Sequence, residues 1–255
     1  MKNKQFRELA VCGLAAVRAL AERNPDRIQR LFFTQDRARF FGPVCKALAA
    51  SHRVYRAVES PSELERLSQS VHHQGVVAMI AEPEIPRLTV EAVRAWEGRR
   101  ERVLVLDRVG NANNLGAIVR SAAFFGVKRI VIGEDDDQAQ ITTSAYRVAE
   151  GGMEIVEILR APSAAWLVEL TANRMVRIGA DHRARNLLSE LHGLVGSSPR
   201  GNDGVLVVMG NEETGLSPEV KAQCDFLVRI PGTGDVESLN VAQAATLFLY
   251  EMARI

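Results

Sequence analysis

The sequence predicts an α/β protein in which helices cover both faces of a mostly parallel sheet, with a smaller α/β unit ahead of it. Two observations carry this. From residue 102 onward, short β-branched runs alternate with longer segments whose apolar residues recur at helical spacing. Before that point, Glu82-Pro83-Glu84-Ile85-Pro86 interrupts the pattern, because the residue before each proline is biased away from helix. The expected organisation is a first domain over 1–80, a linker over 81–101 and a second domain over 102–255.

In the first domain, the apolar run from Val11 predicts a helix over 11–22, broken by Asn24-Pro25. A strand is expected over 28–33, a helix over 41–50 and a second strand over 54–58. Ser60-Pro61 starts a helix over 62–67, and 76–80 is a third strand. In the linker, a short charged helix is expected over 90–97.

The second domain has strand patterns over 103–106, 129–132, 154–158, 176–179, 204–209 and 226–230. A helix is expected over 115–125, with Asn114 at its start. Residues 144–152 read as a helix with a glycine stop. A helix over 241–253 closes the chain. Its stripe of Val241, Ala244, Ala245, Phe248, Leu249 and Met252 suits either the core or a subunit interface.

Composition bounds the function. With 47% hydrophobic and 25% charged residues, the chain is ordinary for a water-soluble protein. It has no apolar run near the roughly 20 residues that span a bilayer, and its start lacks a signal-peptide pattern. A cytoplasmic location is expected. Cys12, Cys45 and Cys224 are scattered and suit a reducing compartment. No Cys/His spacing suggests a metal, and Glu134-Asp135-Asp136-Asp137 reads as a solvated turn rather than a metal site. The net charge of +1 conceals an asymmetry: residues 1–79 hold 13 Lys+Arg against 7 Asp+Glu, and the remainder holds 19 against 24. Of the 32 basic residues 27 are Arg, which grips phosphate bidentately.

Three blocks lie at the ends of apolar runs, where an α/β sheet carries its chemistry. The first is Asn114-Leu115-Gly116-Ala117-Ile118-Val119-Arg120. The second is Gly210-Asn211-Glu212-Glu213-Thr214-Gly215-Leu216. The third runs from Ile230-Pro231 to Ser238-Leu239-Asn240-Val241. Each also has a plain structural reading as a helix cap or a turn, with Ser217-Pro218 as a helix start. The sequence lacks a Gly-x-Gly-x-x-Gly fingerprint, a phosphate loop and a Gly-x-Ser-x-Gly elbow, so dehydrogenase, nucleotide-hydrolase and serine-hydrolase readings have no support.

In order and spacing the three blocks resemble the SpoU (TrmH-like) family of SPOUT RNA 2′-O-ribose methyltransferases. His72-His73-Gln74-Gly75 resembles a stretch near the end of that family's first domain. The resemblance implies a SPOUT-type parallel sheet with a C-terminal trefoil knot, preceded by an RNA substrate-binding domain. It implies methyl transfer from S-adenosyl-L-methionine to a ribose 2′-hydroxyl of rRNA or tRNA, and a homodimer. It assigns catalysis to Asn114, Arg120, Glu212, Ser238 and Asn240, and cofactor contacts to Gly210, Ile230 and Leu239. The chain departs from the pattern at Asn111-Ala112, where the family often has Asp-Pro, and at Gly232, where Met is common. The competing expectation is a catalytically inactive RNA-binding protein that keeps the fold.

Overall fold

A computed structural model describes residues 8–96, 98–200 and 204–255. The chain divides into two units, Met1–Glu84 with Ile141–Ile155, and Ile85–Gln140 with Val156–Ile255.

The first unit opens on β1 (Glu8–Cys12), not on the expected helix from Val11. Val11 and Cys12 are fully buried where β1 pairs antiparallel with the later strand, Val11 opposite Ala78. Gly13, at φ 96°, then turns the chain into α1 (Leu14–Arg23). Next come β2 (Ile28–Phe33), α2 (Gly42–Ala50), β3 (Val54–Ala57), α3 (Pro61–Ser68) and β4 (Val76–Ala81). The sheet order is β1-β4-β2-β3. One core joins Val17 and Leu20 of α1 and Val44 and Leu48 of α2 to Leu31 and Ile80. A smaller one joins Leu64 of α3 to Phe32, Val77 and Met79. The His72-His73-Gln74-Gly75 stretch is a capping turn. Gln74 Oε1 accepts from Leu14 N at 2.8 Å, and Gly75 N donates to His73 Nδ1 at 3.0 Å.

The second unit begins with α4 (Val90–Arg94), whose expected continuation to Glu97 ends outside the described residues. Leu88 N donates to Arg160 O and Arg160 N to Pro86 O, so this part of the proline-marked segment is pinned to a strand. Then follow β5 (Glu101–Leu106), α5 (Ala112–Phe125) and β6 (Arg129–Gly133). The chain next supplies α6 (Thr143–Ala149) to the first unit, where Tyr146 enters the core and Arg27 pairs with Glu154 at 2.9 Å. That helix stops at Glu150, itself in the left-handed region, ahead of Gly151.

The second unit resumes with β7 (Glu157–Ala161), three residues later than expected because Gly152–Glu154 forms a 3₁₀ turn. It continues through α7 (Ala164–Leu170), β8 (Val176–Ala180), the unforeseen two-residue β9 (Asn186–Leu187) and α8 (Leu191–Ser197). It ends with β10 (Gly204–Met209), α9 (Pro218–Gln223), β11 (Phe226–Arg229) and α10 (Val241–Ala253).

Its sheet has the order β7-β6-β5-β10-β8-β11-β9, every described pairing parallel. β10 is buried along its whole length, as a central strand covered on both faces should be. Trp96, Leu167, Val168 and Val220 pack on one face against Val105, Val131 and Val208. α5 and α10 pack together, with Ser121 Oγ and Thr246 Oγ1 at 2.8 Å. Strand order progresses outward from β5 to β7, while β10 lies on the other side of β5. The β5/β10 junction is therefore a topological switch point, where the loops leaving the strand ends diverge and open a crevice.

Candidate active site

At this junction the loops after β5 and β10 are clasped together. Asp107, buried at 4% exposure, accepts from Ser217 N through Oδ2 at 2.7 Å and from Arg108 Nε through Oδ1 at 3.2 Å. Asn211 Nδ2 donates to Arg108 O at 2.8 Å. Asn211 Oδ1 accepts from Glu213 N at 2.9 Å and Thr214 N at 3.1 Å, holding the rest of its own loop. Asn211 and Gly215 exchange backbone hydrogen bonds at 3.1 and 3.0 Å. Gly210 is required by close approach: a Cβ there would meet Gly215 C and Leu216 N at 2.3 Å.

α5 starts three residues before its expected first residue. Asn111, not Asn114, caps it, accepting from Asn113 N at 2.8 Å and Asn114 N at 3.4 Å. The Asn111-Ala112 departure thus retains a capping side chain. Asn114 is freed from capping and points outward from the first turn. Its Nδ2 donates to Glu212 Oε1 at 2.7 Å, and its Oδ1 accepts from Asn240 Nδ2 at 3.2 Å. Asn240 Oδ1 in turn accepts from Ala242 N at 2.9 Å, capping α10. One hydrogen-bonded chain therefore links a residue from each of the three blocks.

Beside it opens a cavity of about 590 Å³. Gly210, Glu212, Ile230, Ser238 and Leu239 line it, and Gly232 lies on its wall. Leu239 is 48% exposed and Ser238 is exposed. Arg120 is exposed on α5, six residues and roughly 9 Å of helix rise beyond Asn114. Three of the five expected catalytic residues thus form one chain, Ser238 shares the cavity, and Arg120 stands further along the helix.

The opposite wall carries groups absent from the sequence reading. Asp181, at the end of β8, pairs with Lys221 Nζ at 2.8 Å and accepts from Arg183 N at 2.8 Å. Burial pushes its carboxyl up, but those hydrogen bonds outweigh burial and hold it below the usual carboxylate range. His182 Nε2 lies 3.9 Å from Glu237 Oε1, joining this wall to the loop before Ser238. Asp107, Asn211 and Asp181 each sit at or just after a strand end. That position is the signal by which a sequence reading can find them.

A parallel α/β sheet with a polar chain and a cavity at the strand ends of its switch point defines a ligand-binding α/β enzyme class. Residues 101–250 match the SpoU rRNA Methylase family, and residues 10–86 match the RNA 2′-O ribose methyltransferase substrate binding family. The 23S rRNA (guanosine-2′-O-)-methyltransferase RlmB of Coxiella burnetii is 34% identical over 251 residues, covering 96% of this chain and 95% of its own. RlmB of Acinetobacter baylyi is 31% identical, with 95% of each chain covered. Among solved structures, the SpoU methyltransferase AviRb of Streptomyces viridochromogenes, in complex with AdoMet, superposes with a TM-score of 0.73 at 23% identity. That match covers 100% of this chain and 93% of that one. The chain belongs to the SpoU rRNA methylase family. It is an S-adenosylmethionine-dependent RNA ribose 2′-O-methyltransferase.

The cavity suits that cofactor. Its volume falls in the roughly 300–1,000 Å³ range of small-molecule sites. Met209, Leu216 and Val228 give it apolar walls, and Gly210 contributes to its lining. When bound, the cofactor supplies an electrophilic methyl group on a sulfonium sulfur.

Proposed function

We propose that the enzyme methylates the ribose of a guanosine in 23S rRNA, the substrate named for its RlmB relatives. The observation that carries the site assignment is the chain Glu212–Asn114–Asn240 beside the cavity. In this reading Gly210, Ile230 and Leu239 hold the cofactor. Asn114, Glu212, Ser238 and Asn240 orient the ribose so that its 2′-hydroxyl lies in line with the methyl group. Arg120 holds an adjacent phosphate and stabilises charge developing on the 2′-oxygen. A guanidinium stays protonated, so its contribution is electrostatic rather than that of a free base. The segment 1–79, with its Arg excess, grips RNA backbone and adds no reacting group.

The same reading includes a homodimer, a cytoplasmic location and a knotted C-terminal segment. In the helix α10, Val241, Ala245, Phe248, Leu249 and Met252 are buried within the chain, so the expected stripe serves the core. A different surface supports the dimer: Phe124 is 82% exposed, and Phe125 packs edge-on against Tyr250, itself 47% exposed. Sedimentation should give a dimer that Phe124→Glu dissociates. No helix among the described residues is long and apolar enough to cross a membrane.

The deciding experiment is mass spectrometry of nucleosides from unmodified 23S rRNA and, separately, unmodified tRNA, each incubated with enzyme and S-adenosylmethionine. A single 2′-O-methylguanosine is expected. Methylation of tRNA alone, or of another nucleoside, would overturn the substrate assignment.

A further inference from the structure

Gln138 sits at 3% exposure in the loop that follows β6, and no established role needs it there. Its Nε2 donates to Val109 O at 2.9 Å, and the neighbouring Ala139 N donates to the same carbonyl at 2.9 Å. Both lone pairs of that buried carbonyl are thus taken by one loop. The loop is itself closed by Gln138 N donating to Asp135 O at 3.0 Å and by Gln140 Nε2 donating to Gln138 O at 3.2 Å. Arg160, from β7, then holds Gln140 Oε1 at 3.2 Å. Packing is close: a Cβ on Gly110 would meet Asp137 O at 3.0 Å.

Val109 and Gly110 lead directly into Asn111, the cap of α5, and α5 carries Asn114 in its first turn. The loop after β6 therefore fixes the entrance of the helix that presents Asn114 to Glu212 and Asn240. The other end of the Gln138 amide is unusual. Its Oε1 is buried without a hydrogen-bond partner among the described residues. A buried acceptor left unmade costs stability, and an apolar side chain of similar shape would avoid that cost. A buried amide at the base of a catalytic element is expected where placement of that element is what the amide provides.

We propose that Gln138 is a positioning residue for methyl transfer, holding the Val109 carbonyl so that Asn114 meets Glu212 and Asn240 in register. The proposal rests on the methyltransferase reading of the site. It predicts opposite signs for rate and stability. In Gln138→Met the donor is lost and the partnerless oxygen is removed. The single-turnover rate should fall roughly 10-fold or more, since small misplacements of a catalytic group carry large rate effects. The melting temperature should be equal to or above that of the unmodified enzyme. Cofactor affinity should stay within about two-fold, because the cavity wall is drawn from Ala180 onward. The RNA concentration for half-maximal rate should change little, so the loss falls on the rate rather than on binding.

Amide hydrogen exchange supplies a readout independent of activity. Exchange across 109–115 should quicken in the full-length variant, while exchange across β8 and β11 stays unchanged. Gln138→Glu keeps the outline and swaps the donating nitrogen for an oxygen, so it should also slow transfer and quicken exchange. It serves as the second variant if Met at this site disturbs folding. A rate within two-fold of the parent with unchanged exchange would overturn the proposal. A fall in melting temperature with loss of cofactor affinity would overturn it as well, because Gln138 would then be a general structural support. If the parent enzyme transfers no methyl group, the functional reading fails, and the exchange data still decide whether Gln138 fixes the helix entrance.

Discussion

Asn114 donates to Glu212 across 98 residues of sequence at 2.7 Å, and the same side chain accepts from Asn240. An amide does both at once from two separate atoms: its nitrogen satisfies a carboxylate and its oxygen satisfies another amide. Asn114→Asp replaces the donor with an acceptor facing Glu212, so two carboxylates would meet. We expect single-turnover methyl transfer to fall about 10²-fold, within the range of lost transition-state interactions. Because the pair is solvent-exposed, stability should change by no more than about 1 kcal/mol. Parallel rate and urea-denaturation measurements check this. A near-normal rate would remove Asn114 from the machinery.

Gly210 offers a test of the cofactor wall. A Cβ on residue 210 would press on backbone atoms of Gly215 and Leu216 at 2.3 Å, which have no flexible side chain to yield. Gly210→Ala must push the 210–216 loop outward against the clasp made by Asp107 and Asn211. Overpacking of this kind costs roughly 1–3 kcal/mol. Calorimetric titration should show at least about 10-fold weaker S-adenosylmethionine binding. Unchanged affinity would mean that this loop does not wall the cofactor site.

The alternation of strands and helices was legible because each buried strand is a short continuous apolar run, as β10 illustrates. The three blocks were legible because each follows such a run. The errors came where tertiary pairing overrode local pattern. Val11 and Cys12 read as helix until β4 supplies an antiparallel neighbour. Asn114 read as the start of a helix until Asn111, three residues earlier, takes the cap. Residues 141–155 continue the second domain in sequence, yet Tyr146 and Glu154 find their partners around Arg27. No periodicity carries that information. The clasp made by Asp107 and Asn211 has no sequence signal, because joining two loops is visible only when both loops are in place.

Arg120 is exposed on α5, about 9 Å of helix rise from Asn114. Its proposed partner is RNA phosphate, so its role is expected only in the presence of RNA. Arg120→Ala should slow transfer at saturating RNA by about 10²-fold or more. Arg120→Lys should rescue poorly, for want of the planar fork. Cofactor affinity should be unchanged in both, since Arg120 is not among the residues lining the cavity. Equal rates for Lys and Arg would reduce its role to charge alone.

Acid sensitivity should trace to Asp225, which anchors the far end of the same sheet. Burial raises its carboxyl, but bonds from Arg177 and Arg200 outweigh burial and hold it below the ordinary carboxylate range. Arg177 Nη2 and Arg200 Nη2 lie 2.8 and 2.7 Å from Oδ1, and Arg177 N lies 2.9 Å from Oδ2. The sign follows from linkage. Because the folded state binds this proton less readily than the unfolded chain, the stabilisation is fully present above the unfolded value of about 3.9. It is lost progressively as pH falls through the lower, folded value. Asp225→Asn removes the charge and leaves Arg177 and Arg200 facing each other unpaired. At pH 7 it should cost roughly 1–3 kcal/mol, as expected when hydrogen bonds to a charged, part-buried group are lost. Urea denaturation of both proteins from pH 7 down to the lowest pH at which the fold persists will show this. The two stability curves should converge on the acid side, because the parent loses there what the variant never had. Curves that remain parallel throughout would assign the acid loss to other carboxylates, with Asp181 and its Lys221 partner the next to test.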